Sequence, residues 1–127
     1  MVHVVAWTGE VPVGRGMVLF PGHEEYSTSA DRERCAEVRD VFVVAELRRR
    51  GLAREIMKGL EDIARDRGFA RIGLTVSTSA DAEPARRLYE AIGYRHAHGP
   101  FIGSTNLRAD DGPIPVGAVM TYLVKEL

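Results

Sequence analysis

The pattern Arg48-x-x-Gly51-x-Ala53 is the stretch of this chain best suited to chemistry. It lies between an apolar strand end at Val43-Val44 and an amphipathic run that begins at Leu52. A helix N-terminus leaves its first backbone N–H groups without intrahelical partners, and the helix dipole adds partial positive charge, so main chain alone can hold a phosphate there. Gly51 and Ala53 keep the approach unobstructed. The side chains of Arg48, Arg49, Arg50 and Arg54 add long-range attraction, although arginines at a turn are equally ordinary solvated decoration. The chemistry implied is the binding of an anion.

Such a turn needs a strand before it and a helix after it, and the flanking patterns supply both. Cys35 to Val44 reads as a strand with Val41, Phe42, Val43 and Val44 as its buried end. From Leu52, the positions Ile56, Met57, Leu60, Ile63 and Ala64 recur at steps of three and four, the stripe of a helix packed on a sheet; Gly68 stops it. Upstream, Val2 to Trp7 and Val13 to Phe20 form a hairpin around the turn residues Thr8-Gly9-Glu10 and Pro12, and the polar residues 21–34 read as a loop. Downstream come a strand at Arg71 to Val76, a loop at Ser77 to Asp81, and a helix from Ala85 to Ile92 with Pro84 early and Gly93 as its C-terminal cap. Tyr94 to His98 and Val116 to Val124 are the last strands, around a polar connection at 103–115. This order is a mixed α/β layer fold with helices on the sheet faces, in one domain spanning residues 1–127.

The bulk properties narrow the partner. A chain of 127 residues, 45% hydrophobic and 28% charged, can bury a sizeable core. Its net charge of −1 does not suit a nucleic-acid coat, so the arginines at 48–50 are a local feature and the partner is small and anionic. The single Cys35 forms no internal disulfide and favours a reducing compartment; with no apolar run of membrane length and no signal-peptide pattern, the expected location is cytoplasmic. Only Lys58 and Lys125 are lysines, a bias that reads as coding preference.

Two segments resemble the GNAT superfamily of acyl-CoA-dependent N-acetyltransferases. Arg48-x-x-Gly51-x-Ala53 matches the family's Arg/Gln-x-x-Gly-x-Gly/Ala signature, and Ala85-x-x-Leu88-Tyr89-x-x-x-Gly93-Tyr94 matches its Ala-x-x-Leu-Tyr-x-x-x-Gly-Phe/Tyr segment. One helix and one strand separate the two. The resemblance covers residues 2 to 127 and implies a mostly antiparallel central sheet with helices on both faces.

Carried over residue by residue, the resemblance implies that the backbone amides of Arg48, Arg49, Arg50, Gly51, Leu52, Ala53 and Arg54 hold the pyrophosphate of acetyl-CoA. Val41 and Val43 would hydrogen-bond the pantetheine and the thioester carbonyl as though it were an added strand, which supplies the oxyanion stabilisation that acyl transfer needs. Tyr89 would be the general acid for the departing thiolate. An attacking amine must be neutral, and Glu37 resembles the position where many members place a catalytic base; period-two counting puts it on the face of Val41 and Val43. Arg39 shares that face and could instead make Glu37 an ordinary strand ion pair, and some members rely on water. No metal is needed. The chain departs from the family at Ala82, where many members carry an Asn on the pantetheine arm and where Asp81 or Ser79 could substitute. By the resemblance it would begin at the family's second strand, without the first strand and the two helices that usually form one wall of the acceptor site; a shortened or mis-started chain is one reading, and a trimmed member that completes its site as a homodimer, with the hairpin edge otherwise unpaired, is another.

The leading expectation is an N-acetyltransferase acting on a primary amine of a small molecule or peptide by direct attack. The alternative is an acyl-CoA-binding regulatory or assembly module with weak or no turnover, and a nucleotide or nucleic-acid binder using Arg48 to Arg50 is a distant third. Loop carboxylates at Glu24, Glu25, Asp31, Asp110 and Asp111 hint at a cationic acceptor. His96 and His98 alternate on one strand and so should share a face, as a metal pair, a second base or surface decoration. Trp7 and Met17 read as packing residues, and His23-Glu24-Glu25 as a solvated loop that could rim the acceptor site.

Overall fold

The computed structural model describes residues 1–103 and 118–127, so the expectation for Asp110 and Asp111 lies outside the described residues. Its strands are β1 (Val2–Thr8), β2 (Val11–Leu19), β3 (Ala36–Val43), β4 (Arg71–Ser77), β5 (Arg95–Ile102) and β6 (Val119–Glu126). Three helices join them: α1 (Thr28–Glu33), α2 (Leu52–Asp66) and α3 (Glu83–Ala91). All six strands form one sheet in the order β1-β2-β3-β4-β6-β5, antiparallel except where β3 and β4 run parallel on either side of α2.

The stripe expected from Leu52 onward does what its spacing requires. Ile56, Met57, Leu60 and Ala64 are buried against Val18, Val38, Val43, Ile72 and Leu74, with α2 lying across β1, β2 and β3. Burying each large side chain of this set contributes roughly 1.5–3 kcal/mol. The opposite face holds a smaller cluster, in which Ala30, Cys35, Tyr122 and Val124 pack with Tyr26, Ala97 and Phe101.

Several local expectations need correction. Residues 21–34 are not all loop, because Thr28–Glu33 forms a short helix. Its N-cap is Ser27, whose hydroxyl accepts from the Ala30 amide at 3.0 Å, and its end is Arg34 at φ +54°. Five polar residues and one alanine, Ala30, carry no apolar period, so the cap is the only local signal of it. The Gly-turn region begins with a 3-10 turn at Ala45–Leu47, and β5 runs past His98 to Ile102.

A further correction concerns β3. Met17 pairs with Arg39 and Arg15 with Phe42, so Asp40 and Val41 of β3 together oppose Gly16 of β2 across a bulge at Asp40, whose φ is +53°. One extra residue reverses the alternation of side chains. Ala36 and Val38 point to the α2 face before the bulge, and Val41 and Val43 point there after it. Glu37 therefore lies on the face opposite Val41 and Val43, packed toward α1 and Tyr122, and period-two counting misplaced it. The same failure occurs on β5, where the register shifts between His96 and His98. His98 stacks on Tyr122 at 5.1 Å while exposed His96 contacts the Gly99 carbonyl, so the two do not form a pair. Trp7 is not a packing residue either: it is 59% exposed, whereas Met17 is half-buried.

Candidate active site

The site follows from the way β3 and β4 meet. They pair only at Ala36 with Ile72 and Glu37 with Gly73, and then part. Between them opens a cavity of about 560 Å³, lined by Val38, Arg39, Asp40 and Val41 from β3 and by Leu74 and Thr75 from β4. Glu24 to Ser29 form one wall, Phe101, Gly103 and Met120 another, and Tyr89 of α3 reaches the same space.

Splaying leaves backbone without a partner strand. The Val44 amide donates to the Val13 carbonyl of β2 at 2.9 Å, so alternation turns the N–H and C=O groups of Val43 and Val41 away from β2, toward the side where β4 has departed. The Val43 carbonyl accepts from Arg48 Nε at 3.0 Å, which is consistent with that direction. An extended ligand with amide groups could pair with Val41 as a strand would.

Beyond Val43 the chain turns through Ala45–Leu47 into α2. Gly51 is the N-cap at φ +82°, a conformation that disfavours any residue with a Cβ; a Cβ there would meet nothing within 4 Å, so the backbone angle rather than crowding requires glycine. The first intrahelical bond runs from Glu55 N to Gly51 O, which leaves the amides of Gly51, Leu52, Ala53 and Arg54 facing outward from an uncapped helix end. The Arg48 amide donates to the Ala45 carbonyl at 3.3 Å, and its side chain turns back to Val43 and lies 5.7 Å from the Phe42 ring. Arg48 is thus committed to holding the turn. Arg49, Arg50 and Arg54 are exposed.

Tyr89 is half-buried and packs edge-on to Tyr94 at 6.0 Å, and its hydroxyl has no hydrogen-bond partner among the described residues. Burial raises its pKa, so the phenol keeps its proton. Tyr94 is in turn fixed by donating to Glu61 at 2.9 Å, and Lys125 neutralises Glu61 at 2.8 Å.

Glu37 is fully buried and does not line the cavity. Tyr122 donates to it at 3.0 Å, Arg39 pairs with it at 2.9 Å, and the Ser27 hydroxyl donates to Oε2, with the Ser27 amide at 3.3 Å from Oε1. Tyr122 needs a glycine at position 73 beside its ring, since a Cβ there would sit 2.6 Å from it. Of the loop carboxylates, Glu24 and Glu25 reach the cavity wall and Asp31 does not, while His23 accepts from the Glu25 amide at 3.0 Å. Asp81 and Ser79 lie outside the lining, and Ser79 bonds Ser77 at 3.0 Å. Sequence reasoning missed Ser27, Asp40, Thr75 and Phe101 as lining residues; the N-cap preference of Ser was the one local signal available for any of them.

A second cavity, of about 490 Å³, lies among Glu33, Arg71, Arg95, His96 and Lys125 at the other end of β4. Arg71 is already paired with Glu33 and Glu126, and Lys125 with Glu61, so these cations serve internal structure.

Residues 1–94 match the sequence pattern of the Acetyltransferase (GNAT) family. This chain belongs to that family. It is 30% identical over 116 residues to an uncharacterised N-acetyltransferase, YsnE, of Bacillus subtilis (strain 168), an alignment covering 91% of this chain and 65% of that protein. The chain therefore spans slightly less than two thirds of that relative's length. Among solved GNAT structures, the fold is shared with a GNAT acetyltransferase from Elizabethkingia anophelis with acetyl-CoA bound, at a TM-score of 0.70 and 18% identity over 98% of this chain and 75% of that one. It is shared equally with an IAA acetyltransferase from Bacillus cereus ATCC 14579, at a TM-score of 0.70 and 19% identity over 98% and 77% of the two chains.

Proposed function

We propose that this GNAT chain transfers an acetyl group from acetyl-CoA to a primary amine of a small molecule or peptide by direct attack. The observation that carries the reading is the cleft between β3 and β4. It brings the Tyr89 hydroxyl, which has no partner among the described residues, and the outward backbone of Val41 to one space, while Val43 leads on to the helix end. The amides of Gly51, Leu52, Ala53 and Arg54 suit the pyrophosphate, with Arg49 and Arg50 adding charge. The Val41 and Val43 backbone holds the pantetheine arm, and an N–H fixed beside the thioester oxygen stabilises the charge that develops as the amine adds. Tyr89 protonates the leaving thiolate, and Glu37 is the ultimate acceptor of the amine proton.

Replacing Tyr89 with Phe removes one oxygen from the cavity wall. We expect Tyr89→Phe to lower kcat roughly 10²- to 10⁴-fold while leaving acetyl-CoA affinity, measured by calorimetry, unchanged. Turnover equal to the parent would remove Tyr89 from the mechanism. Calorimetric binding of acetyl-CoA without thiol release against polyamines, aminoglycosides, amino acids and peptides would mark the chain as a binding module instead.

We further propose that two copies associate through β1. That strand is an edge of the sheet, and Val5, Trp7 and Val11 beside it are exposed. Sedimentation should find a dimer at micromolar concentration; a monomer alone would contradict this.

A further inference from the structure

The proposed base and the proposed acid lie on different sides of a wall. Tyr89 faces the cavity, whereas Glu37 is buried behind it, so a proton leaving an amine in the cavity needs a carrier to reach Glu37. Three side chains donate hydrogen bonds to that carboxylate: Arg39, Tyr122 and Ser27. Arg39 lines the cavity but has no lone pair to accept a proton. Tyr122 can accept one but is fully buried and absent from the cavity wall. Ser27 alone of the three lines the cavity, touches Glu37 and carries a hydroxyl that both donates and accepts. Its hydrogen points to Glu37 Oε2, and one of its two lone pairs takes the Ala30 amide at 3.0 Å. Among the described residues no other donor reaches Ser27 Oγ, which leaves its second lone pair for a ligand.

Resting on the acetyl-transfer reading, we infer that Ser27 is a catalytic residue that carries the amine's proton to Glu37. The amine nitrogen forms its bond to the thioester carbon and gives up a proton to Ser27 Oγ, as the proton already on Ser27 passes to Glu37 Oε2. The carbon–sulfur bond breaks, and the departing thiolate takes the Tyr89 proton. The products are the acetylated amine and free CoA, with Glu37 protonated and Tyr89 ionised. Transfer of one proton from Glu37 to Tyr89 through solvent restores both.

The role as N-cap of α1 makes Ser27→Ala ambiguous, since it would remove the cap and the relay together. Ser27→Asn separates them. Asparagine caps helices as well as serine does, and its amide can bond Glu37, but it has no hydroxyl proton to hand on. Ser27→Thr keeps both functions. Full-length protein is assayed for thiol release with the best amine of the panel, for acetyl-CoA affinity, for thermal unfolding, and for rate in mixtures of H₂O and D₂O. We expect Ser27→Asn to lose about 10²-fold in kcat with affinity and unfolding unchanged, and Ser27→Thr to retain most activity. The parent's rate should curve with deuterium fraction, as two protons in flight require, and the Asn variant's should be linear. Full activity with retained curvature in Ser27→Asn, or equal damage in Ser27→Thr, would overturn the relay and leave acetyl transfer standing. No thiol release by the parent with any amine would overturn both. If Ser27→Asn fails to fold, Ser27→Gly answers the same question, because glycine is tolerated at an N-cap.

Discussion

The two faces of this sheet are built from the same strands and on different principles. Against α2, Val18, Val38, Ile56, Met57, Leu60, Ile72 and Leu74 meet as apolar surface, with Glu61 an exception held by Tyr94 and Lys125. Against α1, a chain of directed contacts runs from Ser27 through Glu37 to Tyr122 and Cys35, and from Tyr122 through the stacked His98 to Ser29 and Glu33. Among the described residues no buried side-chain nitrogen or oxygen lacks a partner, so the polar face carries no uncompensated desolvation. Apolar burial is tolerant of geometry and yields stability, whereas a hydrogen-bonded network fixes the positions of a few atoms. The network is also the face that reaches the cavity.

Deletions on the two faces should therefore register in different measurements. Leu60→Ala, at a fully buried position of α2, should cost about 2–5 kcal/mol in denaturant unfolding, and whatever folded protein remains should turn over normally. A large fall in kcat at constant folded fraction would erase the contrast.

The polar face should instead announce itself in alkali. Burial, with the Glu37 carboxylate adding to it, pushes the Cys35 thiol from 9.0 up to about 11, and burial likewise pushes Tyr26 up to about 12, aided by Cys35, Glu37 and Asp31. The folded state holds the Cys35 proton more tightly than the unfolded chain does. Its contribution is whole below pH 9 and is lost as pH rises toward 11, on the order of 2–3 kcal/mol. Cys35→Ala should remove the part of the decline that starts near pH 9; an unchanged pH curve would show that the thiol is not its source.

The smallest effect sharpens the comparison most. Gly73→Ala places a methyl against Tyr122 and should cost about 1–3 kcal/mol. Because Tyr122 holds Glu37, turnover should fall beyond what the lost folded fraction explains, which a parallel assay of activity and unfolding would detect.

The apolar face was the legible one. The spacing of Ile56, Met57, Leu60 and Ala64 encodes α2 directly, and Gly51, Leu88 and Tyr89 sit in patterns that identified the family. The polar face was not, because its parts come from distant places: Ser27 precedes a six-residue helix without apolar period, and Tyr122 lies on the last strand. Glu37 was singled out on sequence grounds, but counting by twos sent it to the wrong side. Nothing in Val38-Arg39-Asp40-Val41 forces a bulge; the tolerance of Asp for positive φ permits one, and pairing with β2 decides it.

Asp40 acts on β3 as an inserted letter acts on a reading frame. Upstream of it the odd-numbered residues serve the polar side and the even-numbered ones the core; downstream the assignments trade places, so a single strand addresses two clients without turning over. Straightening the bulge with every residue kept would send Glu37 and the Val41–Val43 row to the same address, whereas deleting Asp40 together with the bulge would leave them on opposite sides. The residue count between 37 and 41 and the bulge are therefore tied to each other: changing one without the other moves Glu37 across the sheet.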